Sequence, residues 1–344
     1  MIFYFIFCYV NPKMIREYLK LARSFNAGLT ALAPVVGAVA MKQFEITHLA
    51  LLFLIGFFGH SYGFALNDIL DLKIDRTSRE IGDRPLLSKK ITLKKALIFT
   101  ISCAIISFLL AIYLAWRTNH YFPFIILILS SISITIYDLI SKKYVGMDIF
   151  VAGAIFLLIL YGSATVSINL TLLAWIVIVL GTIQVFFMQF IAGGLKDIEN
   201  DFKRGAKTVA IKMGVRMEGG LVKIPYSLKI LGYSIQLTEL VLLFTPFLLI
   251  FSPLNNYHYI QIAALIFFSA LMLFISFKLV SIKYFERNKA RRLIGSHFQI
   301  NYMLVPIMLM ALTPWTILLA IVPPLIFLFS NIILHGTLLQ PKTM

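Results

Sequence analysis

Stretches of about 20 predominantly apolar residues recur from one end of this chain to the other, and they leave it few ways to fold. A hydrocarbon core roughly 30 Å thick is crossed by a helix rising about 1.5 Å per residue, so each stretch is long enough to span a bilayer. Spans are read near 26–41, 47–66, 96–116, 122–137, 148–168, 170–192, 231–251, 259–281 and 301–334. The last is too long for one straight crossing, and Pro314, Pro323 and Pro324 interrupt it. It is expected as one kinked helix with an interfacial tail, or as a ninth and a short tenth helix. Composition agrees: 60% of residues are hydrophobic and only 13% charged, where a soluble domain has about a quarter charged. The fold expected is all-α, a multi-pass transmembrane bundle of about nine helices forming a single membrane domain over residues 14–344.

The net charge of +16 raises the question of nucleic acid, and its distribution answers it. With the loops numbered alternately, one side holds 28 of the 31 Lys and Arg residues. The other side holds only Lys42 and Arg117, with Lys342 in the C-terminal tail. That asymmetry places the N-terminus and the long loops on the cytoplasmic side of the cell membrane, and the basic charge serves topology and anionic lipid rather than nucleic acid. Cys8 and Cys103 lie in apolar segments without disulfide or metal spacing. Residues 1–13 contain a run too short to span and lack the basic start of a signal peptide, so they are read as a non-essential extension. From Met14 onward the chain reads as a basic amphipathic helix at the interface.

Two long inner loops, 67–95 and 193–230, open with clustered acids directly after a span. In Asn67-Asp68-Ile69-Leu70-Asp71-Leu72-Lys73-Ile74-Asp75-Arg76 the aspartates are spaced by three and four. A helix continuing from the second span puts them on one face. Such like charges repel unless neutralised, and a hard divalent cation such as Mg²⁺ takes oxygen ligands while bridging to phosphates. Asn67 offers an amide oxygen to the same shell. In the second cluster Asp197 and Asp201 share a face while Glu199 points away, and Lys203, Arg204, Lys207 and Thr208 follow with groups suited to phosphate oxygens. Either cluster alone reads as a solvated helix face. Two, each at the inner end of a span and each followed by basic residues, argue for a site.

These segments resemble the UbiA superfamily of intramembrane prenyltransferases. Residues 67–76 match that family's Asn-Asp-x-x-Asp-x-x-x-Asp motif, and Arg84-Pro85-Leu86-Leu87-Ser88 looks like its Arg-Pro-x-x-Ser element. Residues 196–208 resemble its second Asp-rich motif, and Tyr137 with Lys142 and Lys143 stands where the family has a Tyr and cations near a diphosphate. One departure is Gly194, where many members carry an acid.

The resemblance implies a Mg²⁺-dependent prenyltransferase whose cytoplasmic loops cap the active site. Asp68, Asp71, Asp75, Asp197 and Asp201 would be the metal ligands. Asp71, Asp201 and Tyr137 would be catalytic, and Asn67, Arg76, Arg84, Lys142, Lys143, Lys203, Arg204 and Lys207 would bind substrate. A prenyl diphosphate donor would meet a lipophilic acceptor arriving from the bilayer. The motif wording and the surplus of loop cations point to a glycerol-phosphate ether lipid as acceptor, with an aromatic quinone precursor or a tetrapyrrole as alternatives. Phe186, Phe187 and Phe190 are candidates for cation–π contact with a carbocation, although ordinary packing explains any single Phe. His60 and Gln184, polar at membrane depth, are expected to bond between helices. The reading from another class is a cation-coupled transporter. Its acids are expected near the midplane on broken helices, not at span ends beside basic loops.

Overall fold

In a computed structural model, residues 12–76, 82–141, 144–196, 198–204 and 208–339 are described, without the side chains of Ile74, Asn200, Lys203 and Arg204. The order is α1 (Pro12–Leu21), α2 (Ser24–Ala40), α3 (Ile46–Leu70), α4 (Leu93–Thr118), α5 (Phe122–Ile140), α6 (Asp148–Ala164) and α7 (Leu172–Phe186). A π-helical turn, Phe187–Gly193, carries α7 on to Gly194–Lys196. Then come α8 (Ile198–Arg204), strands β1 (Arg216–Glu218) and β2 (Leu221–Lys223), α9 (Tyr226–Leu249), α10 (Asn256–Val280), α11 (Arg287–Leu309) and α12 (Ile317–His335).

The helices begin where the sequence supplies caps. Thr171 accepts from the Ala174 amide at the start of α7, and Asn255 and His258 bond reciprocally to each other's backbone at the start of α10. On α4, Ile98, Ile101, Ile105, Leu109 and Ile112 are exposed, whereas Ala96, Thr100, Cys103, Ser107 and Ala111 are buried. Large apolar side chains outside and small or polar ones inside suit a lipid surround, in which helices associate by close packing rather than by hiding hydrocarbon. Helices α2 and α6 approach closely: a Cβ on Gly162 would lie 1.9 Å from the Pro34 carbonyl oxygen. The main core joins α2, α3, α6, α7 and α11 through residues such as Val35, Leu52, Tyr161, Ile178 and Leu304. A second cluster, with Phe187, Ile198, Ala210, Val222 and Ile294, gathers the 193–230 loop beneath α10 and α11.

The protein is an integral membrane protein. Among the described residues seven helices are long and apolar enough to cross a membrane, and α2 and α6 are shorter apolar helices. The region at 301–334, expected as one kinked helix or as a ninth and a short tenth, is two helices, the end of α11 and the whole of α12. Thr313, extended ahead of Pro314, breaks the chain between α11 and α12. Pro323 and Pro324 sit inside α12 without ending it. Sequence alone hid α11 because its first half, Arg287 to Gln299, is polar. Residues 1–11 of the expected extension lie outside the described residues. The amphipathic α1 does more than lie on an interface: Arg16 donates to the Leu334 carbonyl at 3.0 Å, and Glu17 takes Lys20 at 3.1 Å and Lys90 at 3.5 Å.

Candidate active site

At the inner end of α3 the helical pattern carries on through the first acid motif. The Asp71 amide donates to the Asn67 carbonyl and the Asp75 amide to the Asp71 carbonyl, both at 2.9 Å. The three carboxylates therefore stack on one face, and that face is turned inward: Asp68, Asp71 and Asp75 are 3%, 8% and 7% exposed. Buried carboxylates need positive partners. Arg84 provides one, its Nη1 meeting Asp68 Oδ1 at 3.1 Å and bonding Asp75 Oδ2 as well. The element that presents Arg84 explains its own sequence. Leu86 and Ile91 are buried against Leu21 and Ala65, and Ser88 donates both its amide and its hydroxyl to the Arg84 carbonyl, at 2.9 Å and 3.0 Å.

The second partner was not foreseen. Arg23, between α1 and α2, bonds Asp68 Oδ1 at 2.8 Å and lies 4.9 Å from the Phe64 ring centre. Burial works against its charge, but Asp68, with Asp75 and Asp71 behind it, outweighs that and raises its pKa. Its backbone is left-handed, with φ 45°, an uncommon conformation for a side chain of this size. The Arg23 carbonyl is within 3.3 Å of His60 Nε2, and His60 Nδ1 meets Thr30 Oγ1 at 3.0 Å. His60 thus bonds between helices, as expected, and ties the cluster to Thr30, which lines a mostly apolar cavity of about 70 Å³ between α2, α6, α7 and α11.

On the other side of the motif, Asn67 Nδ2 donates to Asp138 Oδ1 at 3.1 Å. Asp138 is 7% exposed; it too was missed, being a lone acid in no pattern. Tyr137 beside it is half-buried and feels the charges of Asp148, Asp138 and Asp71. Arg76 is exposed at the end of the motif. Lys142 and Lys143 lie outside the described residues.

The second motif follows the π turn, a feature frequent near functional sites. Ile198, fully buried with Ile191, Ala210 and Ile294, pins α8, and Asp201 and Glu199 are half-buried along it. Asp197 and Lys207 lie outside the described residues, as do the side chains of Lys203 and Arg204. Thr208 caps the following turn, its hydroxyl accepting from the Ile211 amide, so the local fold uses that side chain. Gly194 also has a local reason: a Cβ there would lie 2.8 Å from the Ala210 Cβ, leaving no room for an acid. The aromatic residues ahead of the motif are engaged in packing. Phe186 stacks on Phe190, and Phe187, 1% exposed, stacks on His297 at 4.4 Å between ring centres. Gln184 bonds between helices, to Glu239 Oε1 at 2.9 Å and to the Asn301 carbonyl at 2.8 Å. Helix α11, which packs on Gly194–Lys196, adds Arg287 and Arg291 from its start; burial and the charge of Arg291 push the Arg287 pKa down to about 10.

Among the described residues no three His, Cys, Asp or Glu side chains are grouped closely enough to hold one ion. The acid face is instead bridged by Arg23 and Arg84. The donors are nonetheless of the kind Mg²⁺ takes, all hard oxygens, and Asp138 Oδ2 is a buried oxygen without a hydrogen-bond partner. The residues present therefore suit a divalent cation in chemistry.

The UbiA prenyltransferase family model matches residues 29–301. Digeranylgeranylglyceryl phosphate synthase of Methanococcus maripaludis is 27% identical over 260 residues, 70% of this chain and 88% of that protein. The synthase of the same name from Saccharolobus solfataricus is 27% identical over 249 residues, 68% of this chain and 84% of that protein. Among solved structures, a UbiA homologue from Archaeoglobus fulgidus bound to GPP and Mg²⁺ superposes with a TM-score of 0.61 at 17% identity, covering 86% of this chain and 99% of that one. That likeness is one of fold.

Proposed function

The chain belongs to the UbiA prenyltransferase family, and from that premise we propose that it moves a geranylgeranyl or similar prenyl group from its diphosphate to a glycerol-phosphate ether lipid. The observation that carries the reading is the buried acid face of Asp68, Asp71 and Asp75, crossed by Arg23 and Arg84 and linked through His60 and Thr30 to a mostly apolar cavity. A diphosphate needs cations and carboxylate-held metal; a prenyl chain needs a dry apolar slot. Here the two adjoin.

In this reading Asp68, Asp71 and Asp75, with Asp197 and Asp201 of the second motif, hold Mg²⁺. When bound, the ion neutralises charge on the departing diphosphate. Arg23 and Arg84 would add positive charge toward the same oxygens, and Lys142, Lys143, Lys203, Arg204 and Lys207 are proposed to join them. The donor's C–O bond breaks with its electron pair on diphosphate, the acceptor hydroxyl oxygen bonds the allylic carbon, and the hydroxyl proton passes to the departing diphosphate. The prenyl chain would run between the helices with the cavity beside Thr30 taking one part of its length, and Arg287 and Arg291 offer a second anionic headgroup its counter-charge. Both relatives described above are named digeranylgeranylglyceryl phosphate synthase, which supports this acceptor over an aromatic one. The excess of inner-loop cations supports a plasma-membrane orientation with the site facing the cytoplasm.

Competition tests the acceptor. Purified protein given labelled geranylgeranyl diphosphate and Mg²⁺, with equal concentrations of geranylgeranylglyceryl phosphate and dihydroxynaphthoate, is expected to label the lipid. Exclusive labelling of the aromatic acid would overturn the lipid assignment and leave the family intact.

A further inference from the structure

We propose that Asp138 is a positioning residue for the first motif: it fixes the Asn67 side-chain amide so that its carbonyl oxygen, not its NH₂, faces the metal and diphosphate. The inference rests on the prenyltransferase reading above. Asn67 occupies the last turn of α3, one residue before the buried Asp68. Its Nδ2 donates to Asp138 Oδ1 at 3.1 Å across the gap to α5. While Asp138 is ionised it only accepts hydrogen bonds, so in that state this contact exists in one orientation of the amide and is lost in the other. With the NH₂ group occupied by Asp138, the amide oxygen is left for the opposite side. Without Asp138, an asparagine at this place turns either way, and one of the two orientations presents N–H groups to a cation.

A merely structural bond does not need a carboxylate. Asp138 is 7% exposed, its Oδ2 is buried without a hydrogen-bond partner, and the charges of Asp71 and Asp68 act on it from the facing helix along with that of Arg23. A serine or an asparagine would link α3 to α5 with less desolvation and less repulsion. What neither does is forbid the flipped amide. Partners that orient a ligand in this way typically change metal affinity by about 10–100-fold when removed.

The test measures binding rather than turnover. Full-length purified protein is titrated with Mg²⁺ in the presence of labelled geranylgeranyl S-thiolodiphosphate, a slowly cleaved donor analogue, and retained label is counted. Asp138→Asn is expected to raise the half-saturating Mg²⁺ about tenfold, with the melting temperature unchanged. In an Asn67→Ala background the same substitution is expected to change nothing further, because there is no amide left to orient. Asp138→Ser carries the comparison if Asp138→Asn does not yield folded protein. An unchanged Mg²⁺ requirement overturns the inference, as does an equal further loss in the Asn67→Ala background. Wild-type protein that retains no analogue in Mg²⁺ overturns the parent reading and this inference with it, whereas wild-type binding with indifferent variants overturns this inference alone.

Discussion

Replacing Arg23 separates two roles that the structure gives to one residue. Its guanidinium bonds Asp68 at 2.8 Å, and its backbone is left-handed at φ 45°. Removing one partner of a buried ion pair costs about 3–5 kcal/mol when it strands the other charge. Asp68 is not stranded, since Arg84 remains at 3.1 Å, so the loss is closer to one charge-assisted hydrogen bond, about 1.5–3 kcal/mol. The contact with the Phe64 ring adds about 0.5–1 kcal/mol. Arg23→Ala should therefore lose about 2–4 kcal/mol. Arg23→Gly removes the same contacts but accepts the left-handed backbone freely, which returns about 1 kcal/mol. Unfolding in mixed micelles, followed by tryptophan fluorescence, is expected to rank wild type above Arg23→Gly, and Arg23→Gly above Arg23→Ala. Glycine falling below alanine would refute the backbone argument. An alanine variant as stable as wild type would refute the ion-pair argument.

Asp71→Asn and Asp201→Asn are each expected to abolish prenyl transfer while elution profile and melting temperature stay near wild type; near-normal turnover at saturating Mg²⁺ would remove that cluster from the metal site. Gly194→Asp should lower stability by about 1–3 kcal/mol through overpacking against Ala210. Ala210→Gly in the same chain should recover part of that loss, and a melting curve that does not respond to the second change would count against the clash. Deleting residues 1–13 should leave membrane insertion and activity in place, because α1 keeps Arg16 on the Leu334 carbonyl and Glu17 between Lys20 and Lys90. Failure to insert would show that the first residues contribute to topology.

The first acid motif was legible because its spacing is local: a helix of 3.6 residues per turn brings Asp68, Asp71 and Asp75 together without help from the rest of the chain. What neutralises it was half hidden. Arg84 came with a recognisable element, but Arg23 reaches Asp68 from 45 residues away, and nothing in its neighbourhood announces a left-handed turn. Asp138 was illegible for a similar reason: a single acid acquires meaning only when α5 is laid against α3. The apolar spans were plain, except that α11 begins with polar turns which dilute the signal. Gly194 read as an odd departure and became intelligible once Ala210 was found against it. Phe187, read as a candidate for cation–π contact or packing, is committed to the second core cluster.

The proposed function requires the two acid motifs to serve metal-dependent departure of a prenyl diphosphate. The direct measurement is transfer of label from geranylgeranyl diphosphate into geranylgeranylglyceryl phosphate by purified protein in lipid, with Mg²⁺, with EDTA, and with Asp71→Asn in place of wild type. The expected result is a prenylated lipid product and free diphosphate in equal amounts, formed with Mg²⁺ and absent in the other two samples. Product that forms equally well in EDTA or with Asp71→Asn would contradict the account. So would proteoliposomes that make no product under any of these conditions yet carry a cation flux dependent on Asp71 and Asp201.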